Sequence, residues 1–180
     1  MTLNKQNIAD IYPLSPMQQG ILFHTLSAPG VYFEQVIFSL RGPLNLALFQ
    51  QAWQQAIEQH AVLRTFFVWE NRDEPLQIVR HKVSLPWRYQ DWQGQTEAEQ
   101  QIHLDNLLQS DQNQGFNLAQ APLFRLTLVT RTPDSYFLIF SFHHLILDRW
   151  SIGVLFQQVL GGYQAAGQNN PWPAEPVRPD

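Results

Sequence analysis

The stretch Tyr136-Phe137-Leu138-Ile139-Phe140-Ser141-Phe142-His143-His144-Leu145-Ile146-Leu147-Asp148 decides how this chain is read. Up to Phe142 it is apolar almost without interruption, which fits a strand in the middle of a sheet with both faces covered. Two histidines follow directly, and an aspartate stands four positions beyond the second. Successive side chains leaving a strand point to opposite sides. His143 and His144 therefore cannot share one cavity unless the backbone turns, and one should face the core while the other faces solvent or a channel.

Outward from this strand the pattern is that of a layered fold. Leu123 to Thr130 reads as a neighbouring strand, joined through the turn residues Thr132-Pro133-Asp134. Downstream, Ile152, Leu155, Phe156, Val159 and Leu160 step as a helix that Gly161-Gly162 is expected to stop. Upstream, Ser15 and Gln18 form a capping box, with Pro16 at the first helical position, and Ala28-Pro29-Gly30 breaks that helix. Val31 to Leu40 alternates, with Val36, Phe38 and Leu40 on one face and Phe33, Gln35, Ile37 and Ser39 on the other. After the N-cap Asn45, the residues Phe49, Ala52, Trp53, Ala56, Ile57 and His60 make one helical stripe. Arg64 to Trp69 and Leu76 to Val79 read as a hairpin. Thr96 and Glu99 cap a further helix predicted to run to about Ser110. The expectation is a mixed α/β (α+β) fold, a mixed sheet with flanking helices, with too little strict alternation for a dinucleotide-binding fold.

Composition narrows the function. The 180 residues are 44% hydrophobic and 13% aromatic, which excludes a disordered chain and suits one ordinary domain. Only 14% are charged, against roughly 25% in soluble domains, and the net charge is −4 with Lys and Arg scattered singly. No basic stripe for nucleic acid is visible. There is no Cys, hence no thiolate nucleophile, disulfide framework or Cys-based zinc site. The N-terminus lacks the apolar stretch of a signal peptide, and no apolar run is long enough to span a membrane. A cytoplasmic protein without nucleic-acid or membrane partners is the expectation. No glycine-rich phosphate loop is present.

The chemistry therefore centres on the histidine pair, since a neutral imidazole can take a proton at cellular pH. A strand-end histidine is, on residue statistics alone, more often structural. His144 and Asp148 could share a helical face as metal ligands, but no third or fourth ligand stands at metal spacing. Arg64 opens an aromatic strand where an unpaired buried charge would be costly. Asp148 is its expected partner, the pair holding the histidine loop in shape, and the alternative is that Arg64 simply points to water.

Four ordered segments carry a resemblance. Tyr12-Pro13-Leu14-Ser15-Pro16-Met17-Gln18-Gln19-Gly20-Ile21-Leu22-Phe23-His24 is similar to the first core motif of condensation domains of nonribosomal peptide synthetases. Gln59 to Phe66 resembles their second motif, Phe116 to Arg125 is also family-like, and His143 to Asp148 matches the HHxxxD part of the third. The resemblance implies a chloramphenicol acetyltransferase-like fold of two lobes forming a V-shaped tunnel. It implies amide formation between an acyl or peptidyl thioester on a donor peptidyl carrier protein and an amine on an acceptor carrier, both presented on phosphopantetheine, with no cofactor bound by the chain and no metal. By position His144 is the catalytic histidine, orienting the amine or accepting its proton. His143, Asp148 and Arg64 are its structural support.

The family pattern departs in two places. Arg149 stands where most relatives have Gly. It would narrow the acceptor side, contact a carboxylate or phosphate, or point outward. The complete domain is also more than twice this length, so the chain reads as an N-terminal lobe over residues 12–166. Residues 1–11 would be a short segment with a possible docking role at the start of a polypeptide, and 167–180 a linker toward an absent C-terminal lobe, whose interface would lie exposed. The alternatives are an inactive carrier-binding scaffold, with Arg149 marking lost chemistry, and an epimerisation-type relative. The latter has a first motif unlike Pro16-Met17-Gln18-Gln19-Gly20.

Overall fold

An apolar strand with two faces to bury needs a layer on each side. The computed structural model describes residues 7–28, 30–168 and 170–172 and supplies both layers. In chain order its elements are β1 (Ile8–Pro13), α1 (Pro16–Ser27), β2 (Phe33–Arg41), α2 (Leu46–Gln59), a 3-10 turn (Ala61–Arg64), β3 (Thr65–Val68), β4 (Leu76–Arg80), β5 (Trp87–Asp91), α3 (Glu97–Gln114), β6 (Phe124–Thr132), β7 (Ser135–His143) and α4 (Arg149–Gly167). The main sheet has the order β2-β7-β6-β5, with β7 antiparallel to both neighbours and β5 parallel to β6. A smaller antiparallel sheet has the order β1-β4-β3. The mixed α/β expectation holds, and the apolar strand lies inside the sheet.

Side chains on β7 alternate between the two layers. Leu138, Phe140 and Phe142 join Phe124, Leu126 and Leu128 of β6 beneath α2 and α4, against Phe49, Trp53, Ile57, Leu155, Phe156 and Val159. On the opposite face Ile139 and Val129 meet Leu104 of α3. Register places Gln35, Ser141 and Arg125 in one row of that face, with Phe33 and His143 in the next. The row of Gln35, Ser141 and Arg125 is polar, and α3 covers it with a buried carboxylate. Asp111 is ion-paired with Arg125 and accepts hydrogen bonds from Ser141 and from Gln35 Nε2 at 3.0 Å. Arg125 also donates to the carbonyls of Gly115 (2.8 Å) and Asp111 (2.7 Å), and its guanidinium lies 4.4 Å from the Phe116 ring centroid.

This network explains a difference from the sequence reading. Helix α3 continues past Ser110 to Gln114, because Asp111 points inward and Gly115, at φ +56°, ends the helix one turn later. Helix α4 likewise continues through Gly161 and Gly162 to Gly167. The Trp172 ring lies directly on Gly162, in the space that a Cβ would occupy. That glycine therefore allows a close approach and does not stop the helix. Strands β1 and β5 were not anticipated. Ile8–Pro13, which begins in the expected N-terminal segment 1–11 and crosses into the expected lobe, pairs with β4. Residues 1–6 of that segment, and 169 and 173–180 of the expected linker, lie outside the described residues.

Replacing one partner of a buried pair strands the other charge, which costs about 3–5 kcal/mol. Arg125→Met is expected to destabilise by that amount in urea unfolding, and Asp111→Leu with Arg125→Met by much less. A single variant within about 1 kcal/mol of wild type would show that the pair is not the clamp described.

Candidate active site

Strand pairing carries the chain to His143 and then releases it. The His143 amide donates to the Leu123 carbonyl at 2.9 Å, and the His144 amide to the Tyr32 carbonyl at 3.0 Å. A tight turn follows, in which the Ile146 amide donates back to the His143 carbonyl at 3.1 Å. The two imidazoles thereby enter different surroundings.

The side chain of His143 falls on the α3 face and is only 4% exposed. Its Nδ1 accepts from the Leu145 amide at 3.1 Å, so that nitrogen carries the lone pair and the proton sits on Nε2. Nε2 faces the Thr25 hydroxyl oxygen at 3.4 Å, and that hydroxyl donates its own proton to the Ile21 carbonyl at 2.7 Å. The ring thus fastens the turn to α1 as a neutral tautomer. Burial, with a smaller contribution from neighbouring His144, pushes its pKa down to about 4. His143 also forms part of the wall of an open cleft of about 850 Å³ between α1, the start of β2 and the end of α3. Phe33, Trp69 and Phe116 line it with the amides of Gln109, Gln112 and Asn113, and none of its lining side chains is an Asp, Glu, Lys or Arg.

The ring of His144 lies parallel to that of Tyr32, at 6° and 6.2 Å between centroids. The residue is half-buried, and its buried Nδ1 has no hydrogen-bond partner among the described residues.

The expected pairing of Arg64 with Asp148 is not what the structure shows. The Arg64 guanidinium donates to the carbonyls of Ile57 (3.0 Å) and Glu58 (3.3 Å) at the end of α2, and to those of Arg80 and His81 (3.4 Å). Carbonyls at a helix C-terminus lack intrahelical donors and attract a cation, so they satisfy Arg64 without a carboxylate. Asp148 instead caps α4 and accepts from the Ser151 amide at 2.7 Å. That amide, foremost, holds its carboxyl below the usual carboxylate range. Asp148 still fixes the end of the histidine turn, by starting the helix that follows it.

Arg149 is exposed at the first position of α4. Asn71 is the one non-glycine residue of positive φ among the described residues, so position 149 does not demand glycine on backbone grounds. Sequence reasoning did not single out Tyr32. Its place one residue before the strand partner of His143 is the signal that could have found it.

A family model for the condensation domain matches residues 8–179. The chain belongs to the condensation-domain family. It is 39% identical over 174 residues to a linear gramicidin synthase of Brevibacillus parabrevis, covering 96% of this chain and 2% of that protein. Tyrocidine synthase 2 of the same organism is 33% identical over 178 residues, covering 98% and 5%. Among solved structures, the starter condensation domain of rhizomide synthetase superposes with a TM-score of 0.81 at 24% identity, covering 94% of this chain and 42% of that one. The first condensation domain of the CDA synthetase gives 0.82 at 17%, covering 93% and 42%. The condensation-domain chain thus spans 2–5% of these synthetases and 42% of these solved chains. The chloramphenicol acetyltransferase-like fold expected from the motifs is the one found. No helix among the described residues is long and apolar enough to cross a membrane, and no group of three or more His, Asp or Glu among them is placed to hold a metal.

A His whose folded pKa is lowered leaves the unfolded state binding more protons between the two values. Its contribution is complete above the unfolded value near 6.5 and is lost as pH falls toward about 4. Stability is therefore expected to decline across that window by up to roughly 1.4 kcal/mol per pH unit. A His143→Gln variant, compared by urea unfolding from pH 7 to pH 4, should lose this slope. An unchanged slope would place the titrating group elsewhere.

Proposed function

We propose that this chain is the histidine-bearing N-terminal lobe of a condensation domain that forms an amide bond in nonribosomal peptide synthesis. The donor is an acyl or peptidyl thioester on the phosphopantetheine of one peptidyl carrier protein, and the acceptor is an aminoacyl group on a second carrier. The observation that supports this most is the division of labour within the pair. His143 is almost wholly buried, kept neutral by that burial and fixed in its tautomer by the turn amide, while the half-buried His144 is the imidazole this reading assigns to the substrate.

In the reaction the acceptor amine attacks the thioester carbonyl carbon, a C–N bond forms and the C–S bond breaks. The amine loses one proton and the phosphopantetheine sulfur leaves as a thiol. His144 orients the amine or takes that proton, while holding two tethered reactants together supplies much of the rate. His143, through Thr25 and the turn, and Asp148, through the α4 cap, keep His144 in place. Arg64 contributes by tying the end of α2 to β4. The lobe itself binds no cofactor, and its further partners are the C-terminal lobe, reached through residues 167–180, and the two carriers. Cytoplasmic location is part of the same reading, as is a docking role for residues 1–11.

In the complete domain, His144→Ala should lower condensation by on the order of 10²-fold or more without unfolding the protein. The readout is intact-protein mass spectrometry of a loaded acceptor carrier mixed with a loaded donor carrier. Near-normal turnover in that variant would overturn the assignment. Arg149 in the family's Gly position favours a second reading, an inactive scaffold that binds carriers. Carrier binding without turnover, restored by Arg149→Gly, would establish it.

A further inference from the structure

We propose that Tyr32 is the positioning residue for the His144 imidazole, setting the ring plane by stacking where other enzymes use a hydrogen bond. This rests on the reading of His144 as the reacting histidine. A working imidazole needs its ring rotation and tautomer fixed, and the usual device is a carboxylate or carbonyl at the nitrogen that does not meet substrate. Here that device is missing among the described residues. Nδ1 of His144 is buried and no donor or acceptor reaches it. Asp148, the carboxylate four positions on, is engaged by the Ser151 amide.

Two contacts with Tyr32 take its place. The Tyr32 carbonyl accepts the His144 amide at 3.0 Å, which fixes the backbone. The Tyr32 ring lies parallel to the imidazole at 6° with centroids 6.2 Å apart, an offset stack within the range of favourable aromatic pairs. Tyr32 itself is anchored, since it packs on the core and its centroid lies 6.5 Å from that of the buried His143. The ring also offers a π-face to any positive charge that forms on the imidazole when it takes a proton.

Two measurements on Tyr32→Phe and Tyr32→Leu test this. In the complete domain, Tyr32→Phe keeps the π-face and should retain kcat within about twofold. Tyr32→Leu should lose roughly tenfold or more in kcat, because small misplacements of a reacting group are costly, with KM for the loaded carriers nearly unchanged. In the 180-residue chain, carbon-13 labelling of histidine Cε1 should show the His144 resonance displaced by the Tyr32 ring, moved by Tyr32→Leu and kept by Tyr32→Phe. A Tyr32→Leu variant with wild-type kcat, an unmoved His144 resonance, or an equal loss in Tyr32→Phe overturns the proposal. If Tyr32→Leu fails to fold, the unbranched Tyr32→Met serves the same comparison. Full turnover in His144→Ala would instead remove the functional reading, while the resonance still decides the stacking.

Discussion

The antiparallel pairing of β7 with β2 runs without a bulge from Ser135 opposite Arg41 to His143 opposite Phe33, and the candidate site exists because it stops there. Up to that point alternation sends each side chain to one layer or the other, and His143 belongs to the α3 face as surely as Ile139 does. One residue later the ladder is gone. The Tyr32 carbonyl still holds the His144 amide, and the turn back from Ile146 directs the chain toward α4. Neighbouring residues of identical chemistry thus acquire different environments from sheet geometry alone. The layers on each side, α2 and α4 against α3, make that geometry rigid.

Charge is managed away from the histidines. With 14% charged residues the chain has few ions to place, and the Asp and Arg side chains buried among the described residues, Asp111 and Arg125, are paired with each other. Asp111 and Arg125 neutralise each other one row below the Phe33–His143 row, and Arg125 stiffens the aromatic wall of the cleft from behind. Arg64 spends its charge on carbonyls at the end of α2, and Asp148 on the first turn of α4. The histidine turn is held mainly by backbone amides and one neutral imidazole. That suits the proposed reaction, whose catalysis would be largely the positioning of two tethered reactants.

Much of this was readable from residue types, and the failures have physical reasons. Capping residues announced α1 through Ser15 and Gln18, and α3 through Thr96 and Glu99, because those side chains satisfy backbone amides locally. The alternation in β2 was legible because only one of its faces meets the main core. Strands β1 and β5 were not, since they lie largely exposed at sheet edges, and the apolar alternation of β5 is limited to Trp87 and Tyr89 while β1 has none. The extent of α3 depended on Asp111 finding Arg125 across 14 positions, and the continuation of α4 on Trp172 meeting Gly162. The partner of Arg64 was misjudged for a related reason. A guanidinium seeks oxygen, and nothing in the sequence told carboxylate from carbonyl.

The central claim is that the strand end buries His143 as a neutral, Nε2-protonated imidazole and leaves His144 as the one proposed to react. Two-bond proton–nitrogen correlation spectra of the histidine rings, followed from pH 8 downward, test the structural half of that claim directly. The account predicts that His143 keeps the Nε2–H tautomer, with Nδ1 as acceptor, until pH falls to about 4. A His143 ring that carries its proton on Nδ1, or that titrates near the ordinary value of 6.5, would contradict it.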